Sequence, residues 1–158
     1  MPNSHVQAYW HLVWGVKYRQ YLISEAYREE VQRIITKLFE EFGQEVIRIY
    51  AMPDHVHILI KYDYTTLLPK VINKVKSNSS RMNKAIGIEE FAWQTGGGAF
   101  TVSPKDVDLI KHYIDKQPEH HSGPSSPDFV EEYRDLVLSA GLRYDGRYAL
   151  HHPLVWHG

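Results

Sequence analysis

Residues 46–61 read VIRIYAMPDHVHILIK, two β-branched runs interrupted by Pro53-Asp54. Such runs favour extended backbone and the Pro-Asp step breaks them, so the segment predicts an antiparallel hairpin with arms at 46–52 and 56–61. Alternation in the second arm puts Val56, Ile58 and Ile60 on one face, suited to packing beneath helices. His55 and His57 then point the other way, to what is expected to be the open face of the sheet. Two imidazoles at this spacing project side by side, roughly 6–7 Å apart, close enough to share a cation. The same pattern fits two partly exposed strand histidines, and a third ligand is needed to choose between the readings.

Working outward, residues 4–14 alternate Val6, Ala8, Trp10, Leu12 and Trp14 against His5, Gln7, Tyr9 and His11, the period of a half-buried first strand. Ser24 suits the cap of a helix whose apolar positions Val31, Ile34, Ile35, Leu38, Phe39 and Phe42 repeat every 3.6 residues, with Gly43 just past its end. A second helix is marked by Leu68, Val71, Ile72, Val75, Met82 and Ile86 before Gly87. Short strand pieces are expected at 91–94 and 99–102, and Ser103-Pro104 opens a third helix running to about Gln117, since Pro118 follows. After the loop at 123–127, residues 128–142 predict a fourth helix.

The order β-α-β-β-α-β is that of the α+β, ferredoxin-like split βαβ fold, an antiparallel sheet with helices on one face. At 158 residues, 43% hydrophobic, the chain suits one domain. Its parts would be a core at 1–103, an added helix at 104–120 and a C-terminal helical extension at 121–158.

The chain has no cysteine, which excludes disulfides and thiolate zinc sites and leaves nitrogen and oxygen for any metal. With neither a signal peptide nor an apolar run long enough to span a bilayer, the expected location is the cytoplasm, away from membranes. The net charge of −1 averages regions of opposite sign. Residues 64–88 contain no Asp or Glu, and within them Lys70, Lys74, Ser77, Arg81 and Lys84 form one stripe at helical spacing, able to follow a phosphate backbone. Trp93, Tyr9, Tyr18 and Phe100 suit either base stacking or core packing. The triple glycine at 96–98 lacks the Gly-Lys-Ser/Thr of a nucleotide loop and reads as a flexible turn. His120, His121, His151, His152 and His157 are expected at the surface.

On the third helix Tyr113 and Gln117 are four apart, so a hydroxyl and an amide oxygen share a face. An ordinary amphipathic helix with Tyr113 at the core edge looks the same. It is the conjunction with His55 and His57 that matters. The strand Tyr9-Trp10-His11-Leu12-Val13-Trp14, the stretch Met52-Pro53-Asp54-His55-Val56-His57, the basic Lys76-Ser77-Asn78-Ser79-Ser80 and Tyr113-Ile114 followed by Gln117 together resemble the single-tyrosine HUH transposases of the insertion-sequence two-hundred type.

The resemblance implies that Tyr113 attacks a phosphodiester in single-stranded DNA, giving a 5′-phosphotyrosine and a free 3′-hydroxyl. It implies a divalent cation, Mg²⁺ or Mn²⁺, held by His55, His57 and Gln117. It also implies DNA hairpins at element ends as partners, and a homodimer whose subunits share active sites. A domain of this family that binds hairpins without cutting them, and a metal-dependent hydrolase using only the histidines, are the competing expectations.

Overall fold

In a computed structural model, which describes residues 4–78, 87 and 91–145, the stretch at 46–61 forms the hairpin of β2 (Glu45–Ala51) and β3 (His55–Lys61). The arms pair antiparallel from Glu45↔Lys61 to Ala51↔Val56, with a bulge between Val46 and Arg48. β1 (Tyr9–Gly15) flanks β3 on its other side, and β4 (Gly98–Val102) flanks β1. The sheet order is β2-β3-β1-β4, every neighbour antiparallel. With α1 (Arg28–Glu41) linking β1 to β2 and α2 (Leu68–Ser77) linking β3 to β4, this is the split β-α-β-β-α-β arrangement the sequence predicts.

Boundaries differ where a partner is missing. The first strand starts at Tyr9, because both neighbours run out there, at Lys61 and Val102. The piece at 91–94 forms only a single bridge, Val16↔Trp93, since Phe91 and Trp93 turn into the core and meet edge to face at 4.8 Å. Ser24 opens a 3-10 turn, and α1 itself begins at Arg28. Past its end Gly43 takes φ +78°, the left-handed position that suits glycine. The continuation of the second helix through Met82 and Ile86, with Arg81 and Lys84 of the basic stripe, lies outside the described residues.

Leu12, Trp14, Val56, Ile58 and Ile60 face α1 and α2 and make the main core with Val31, Ile35, Leu38, Phe39, Val71 and Val75. Each fully buried aliphatic side chain of this kind stabilises the fold by about 1.5–3 kcal/mol. The opposite face is covered too, which the sequence reading did not anticipate. α3 (Val107–Asp115) lays Ile114 on Leu59 and Val102. A single turn, α4 (Gln117–His120), and then α5 (Phe129–Ser139) follow, and α5 lays Phe129, Tyr133 and Val137 over Val13. The expected open face of the histidines is therefore closed, because those two helices carry apolar stripes with no other place to bury them. Among the described residues no helix is long and apolar enough to cross a membrane.

The glycine turn at 96–98 joins the two faces at the β4 edge. Gly97 has φ +144°, and a Cβ there would lie 2.8 Å from the Val13 carbonyl oxygen and 2.9 Å from Trp14 Cβ. Gly97→Ala is expected to destabilise the protein by about 1–3 kcal/mol in chemical denaturation. An unchanged midpoint would contradict the packing of this turn.

Candidate active site

β3 is flanked on both sides, and its register with β1 places His57 beside Val13 and His55 beside Gly15. A Cβ on Gly15 would come within 2.8 Å of the Phe129 ring. The bare glycine lets that ring lie flat on His55, centroids 4.1 Å apart and planes 5° from parallel. His55 Nδ1 hydrogen-bonds Asp54 Oδ1 at 2.7 Å, and His57 Nδ1 meets His11 Nε2 at 2.9 Å. Each ring is thus oriented through Nδ1 with its Nε2 turned towards α4 and α5, the arrangement that imidazole ligands of metals adopt.

α3 stops at Asp115 rather than at Gln117. Pro118 has no N–H and its ring would strike the carbonyl four residues earlier, so Lys116 leaves helical geometry and Pro118 sits at the start of the next turn. Tyr113 and Gln117 still converge, on a residue that the sequence reading did not single out. Glu132 stands one turn into α5, whose first turn is capped by the Asp128 carboxylate accepting from Glu131 N at 2.9 Å. Its Oε2 accepts from the Tyr113 hydroxyl, and from Gln117 Nε2 at 2.7 Å. Its Oε1 lies 3.2 Å from His57 Nε2, 3.5 Å from His55 Nε2 and 3.1 Å from His121 Nε2. Gln117 Oε1 is 3.0 Å from His55 Nε2.

The electrostatics follow from burial and this network. Burial alone would raise Glu132, but hydrogen bonds from His121, His55 and His57 hold it far below the usual carboxylate range. Burial lowers His57 to about 4 and His11 to about 3, so both are neutral. Burial acts the same way on His55, yet its hydrogen bonds to Asp54 and Glu132 prevail and raise it to about 9. Burial and the Glu132 charge push the Tyr113 phenol well above its ordinary value.

His55, His57 and Glu132 form a buried group whose ligand atoms all lie within 4.8 Å of one another, a set that could hold a metal ion. Gln117, fully buried, adds an amide oxygen to it. Two imidazole nitrogens, a carboxylate and an amide oxygen fit a divalent cation of mixed nitrogen and oxygen preference, and the proton on His55 Nε2 stands where that cation's charge would. All four residues singled out for chemistry, His55, His57, Tyr113 and Gln117, are brought together within one chain. Of the expected surface histidines, His121 instead joins the site through Gln117 and Glu132 and half-buried His120 lies against the Tyr113 ring, while His151, His152 and His157 lie outside the described residues.

Lys70, Lys74 and Ser77 are exposed on α2, across the sheet from Tyr113. Trp93 is core. The polar face of the first strand already contained His11, and the acidic first turn of the fourth helix contained Glu132. Neither has a local pattern that separates it from an ordinary surface residue.

His55 gains proton-binding partners on folding. With its pKa raised from 6.5 to about 9, its contribution to stability is complete below pH 6.5 and lost as pH rises through about 9. His57 and His11, lowered to about 4 and about 3, act oppositely and withdraw stability as pH falls from 6.5 towards those values. Metal-free protein is expected to melt highest near pH 6.5, with His55→Gln flattening the alkaline limb. A melting temperature still rising above pH 9 in chelator would contradict this charge assignment.

Residues 4–117 match the family described as Transposase IS200 like. The ISDra2 transposase TnpA of Deinococcus radiodurans is 32% identical over 120 residues, covering 70% of this chain and 84% of that protein. A crystal structure from Deinococcus radiodurans R1, assigned as a transposase, has a TM-score of 0.59 at 23% identity and covers 73% of this chain and 94% of its own. A REP-associated tyrosine transposase bound to a REP hairpin has a TM-score of 0.57 at 17% identity, covering 99% of this chain and 89% of that one. At those identities the two structures speak to the fold, and the family match, spanning well over half the chain, speaks to descent. The chain belongs to the IS200-like transposase family.

Proposed function

We propose that this transposase cleaves and rejoins single-stranded DNA at the ends of an insertion element through a covalent bond between Tyr113 and a 5′ phosphate. The observation that carries the reading is the shared carboxylate: the Tyr113 hydroxyl donates to the same Glu132 that lies against Nε2 of His55 and His57. A nucleophile and a candidate cation site are thereby held within one carboxylate of each other.

Attack by the phenolic oxygen forms the bond to phosphorus and releases the 3′ oxygen, and attack by a 3′-hydroxyl on the phosphotyrosine later reverses the step. The energy of the phosphodiester is kept in the covalent link. A divalent cation, Mg²⁺ or Mn²⁺, held by His55, His57, Gln117 and Glu132 would polarise the phosphate and stabilise the departing oxygen. Tyr113 and Glu132 line a cavity of about 280 Å³ together with His120, Asp135 and Leu136, which supports entry of the strand from that side.

Lys70, Lys74 and Ser77 would hold DNA by its phosphates on the other face of the sheet, together with Arg81 and Lys84 outside the described residues. A strand reaching both faces passes round the β4 edge. The hairpin held by the REP-associated relative supports a hairpin as the bound form. A homodimer belongs to the same proposal.

Three outcomes test it. Tyr113→Phe is expected to abolish covalent protein–DNA adducts on denaturing gels while leaving hairpin binding nearly unchanged; adducts from that variant would refute the nucleophile. His57→Ala should weaken Mn²⁺ binding by more than about 10-fold in calorimetry, whereas a domain that only binds DNA would lose nothing. Lys70→Ala and Lys74→Ala should each weaken hairpin binding and lower the salt slope by about 1.

A further inference from the structure

We propose that Glu132 is a catalytic residue, the proton acceptor for Tyr113, with one carboxylate oxygen on the candidate cation site and the other receiving the phenolic proton as the tyrosine bonds to phosphorus. The inference rests on the reading of Tyr113 as nucleophile. Glu132 lies beyond residues 4–117, the part of the chain that matches the family.

The geometry divides the carboxylate into two ends. Oε1 lies 3.2 Å from His57 Nε2 and 3.1 Å from His121 Nε2, so one oxygen is already engaged by the imidazoles. Oε2 is left to accept from the Tyr113 hydroxyl and from Gln117 Nε2. Oε2 is thus the carboxylate oxygen that faces the nucleophile.

A phenol is a weak nucleophile until its proton leaves, and the base must lie within hydrogen-bond reach. Asp135 lines the same cavity, but the Tyr113 hydroxyl donates to Glu132, and the histidines near Tyr113 are placed differently. His120, His57 and His11 stand with ring centroids 4.8, 5.7 and 6.0 Å from the tyrosine ring, packed as rings. Glu132 is also fixed in place, 6% exposed, on a helix anchored by the Asp128 cap and by Phe129 stacked on His55.

In the step, the Tyr113 oxygen bonds to phosphorus as its proton passes to Glu132 Oε2. The bond from phosphorus to the 3′ oxygen breaks, and that oxygen takes a proton from water. The hydroxide so formed is neutralised when the Glu132 carboxylic acid gives up its proton. No net charge or atom is left over.

The test uses the full chain, Mn²⁺ at saturation, and a single-stranded oligonucleotide that wild-type protein cleaves, found by tiling the DNA on either side of its coding sequence. Glu132→Gln is expected to slow single-turnover adduct formation by about 10²–10⁴-fold. The same loss is expected on a substrate with sulfur in place of the scissile 3′ oxygen, because a thiolate leaves without a proton while the phenol must still lose one. Relief of the defect by sulfur would put Glu132 on the leaving-group side and overturn the proposal, as would adduct formation at the wild-type rate.

Where Glu132→Gln fails to fold, Glu132→Asp, which keeps the carboxylate but draws it back by one methylene, is expected to slow the same single-turnover step, and adduct formation at the wild-type rate by that variant overturns the proposal. Wild-type protein that forms no adduct on any strand refutes the Tyr113 chemistry and this inference with it. Normal adduct formation by Glu132→Gln refutes this inference alone.

Discussion

A carboxylate buried among imidazoles is the constraint on which this structure turns. Glu132 is 6% exposed, and taking a carboxylate out of water costs on the order of several kcal/mol unless its oxygens are answered. Here they are answered from three directions: the imidazoles of β3, the amide of α4 with His121 just beyond it, and the phenol of α3. Glu132 ties α5 to the histidine face alongside the apolar contacts of Phe129, Tyr133 and Val137. Removing the partners of such a buried charge costs about 3–5 kcal/mol. The helices that close the site and the groups that would perform chemistry are therefore parts of one electrostatic unit.

The sheet makes that unit possible by keeping two jobs on two faces. Val56, Ile58 and Ile60 bind β3 to α1 and α2, so the intervening His55, His57 and Leu59 are directed to the opposite side. Flanking strands on both sides hold β3 in register, and His11 on β1 reaches His57 across one of those pairings. The basic stripe of α2 rides on the first face. The candidate site and the exposed basic side chains of α2 are thus separated by the thickness of one sheet.

Much of the fold was legible because it is written in local periods. The two-residue alternation at 46–61 and the 3.6-residue repeat of the first helix each bury one face. The pairings of His55 with His57 and of Tyr113 with Gln117 were legible for the same reason, each being a spacing on a single element. Element ends were less so: the first strand stops where its neighbours stop, and α3 ends at Asp115, ahead of Pro118, rather than at Gln117. Glu132 was not legible, since in sequence it is one acid in the acidic first turn of a helix, where acids are common for dipole reasons alone.

By itself, then, the sequence determined the sheet, the face on which the histidines stand, and the two candidate pairs, His55 with His57 and Tyr113 with Gln117, because strand and helix periods and a motif are properties of neighbouring positions. Only the tertiary structure decided that this face is covered, that His11 and His121 belong to the site, and that Glu132 joins His57 to Tyr113. Those contacts link residues 11 to 57, 57 to 132 and 113 to 132, separations at which nothing but the folded path of the chain sets a distance.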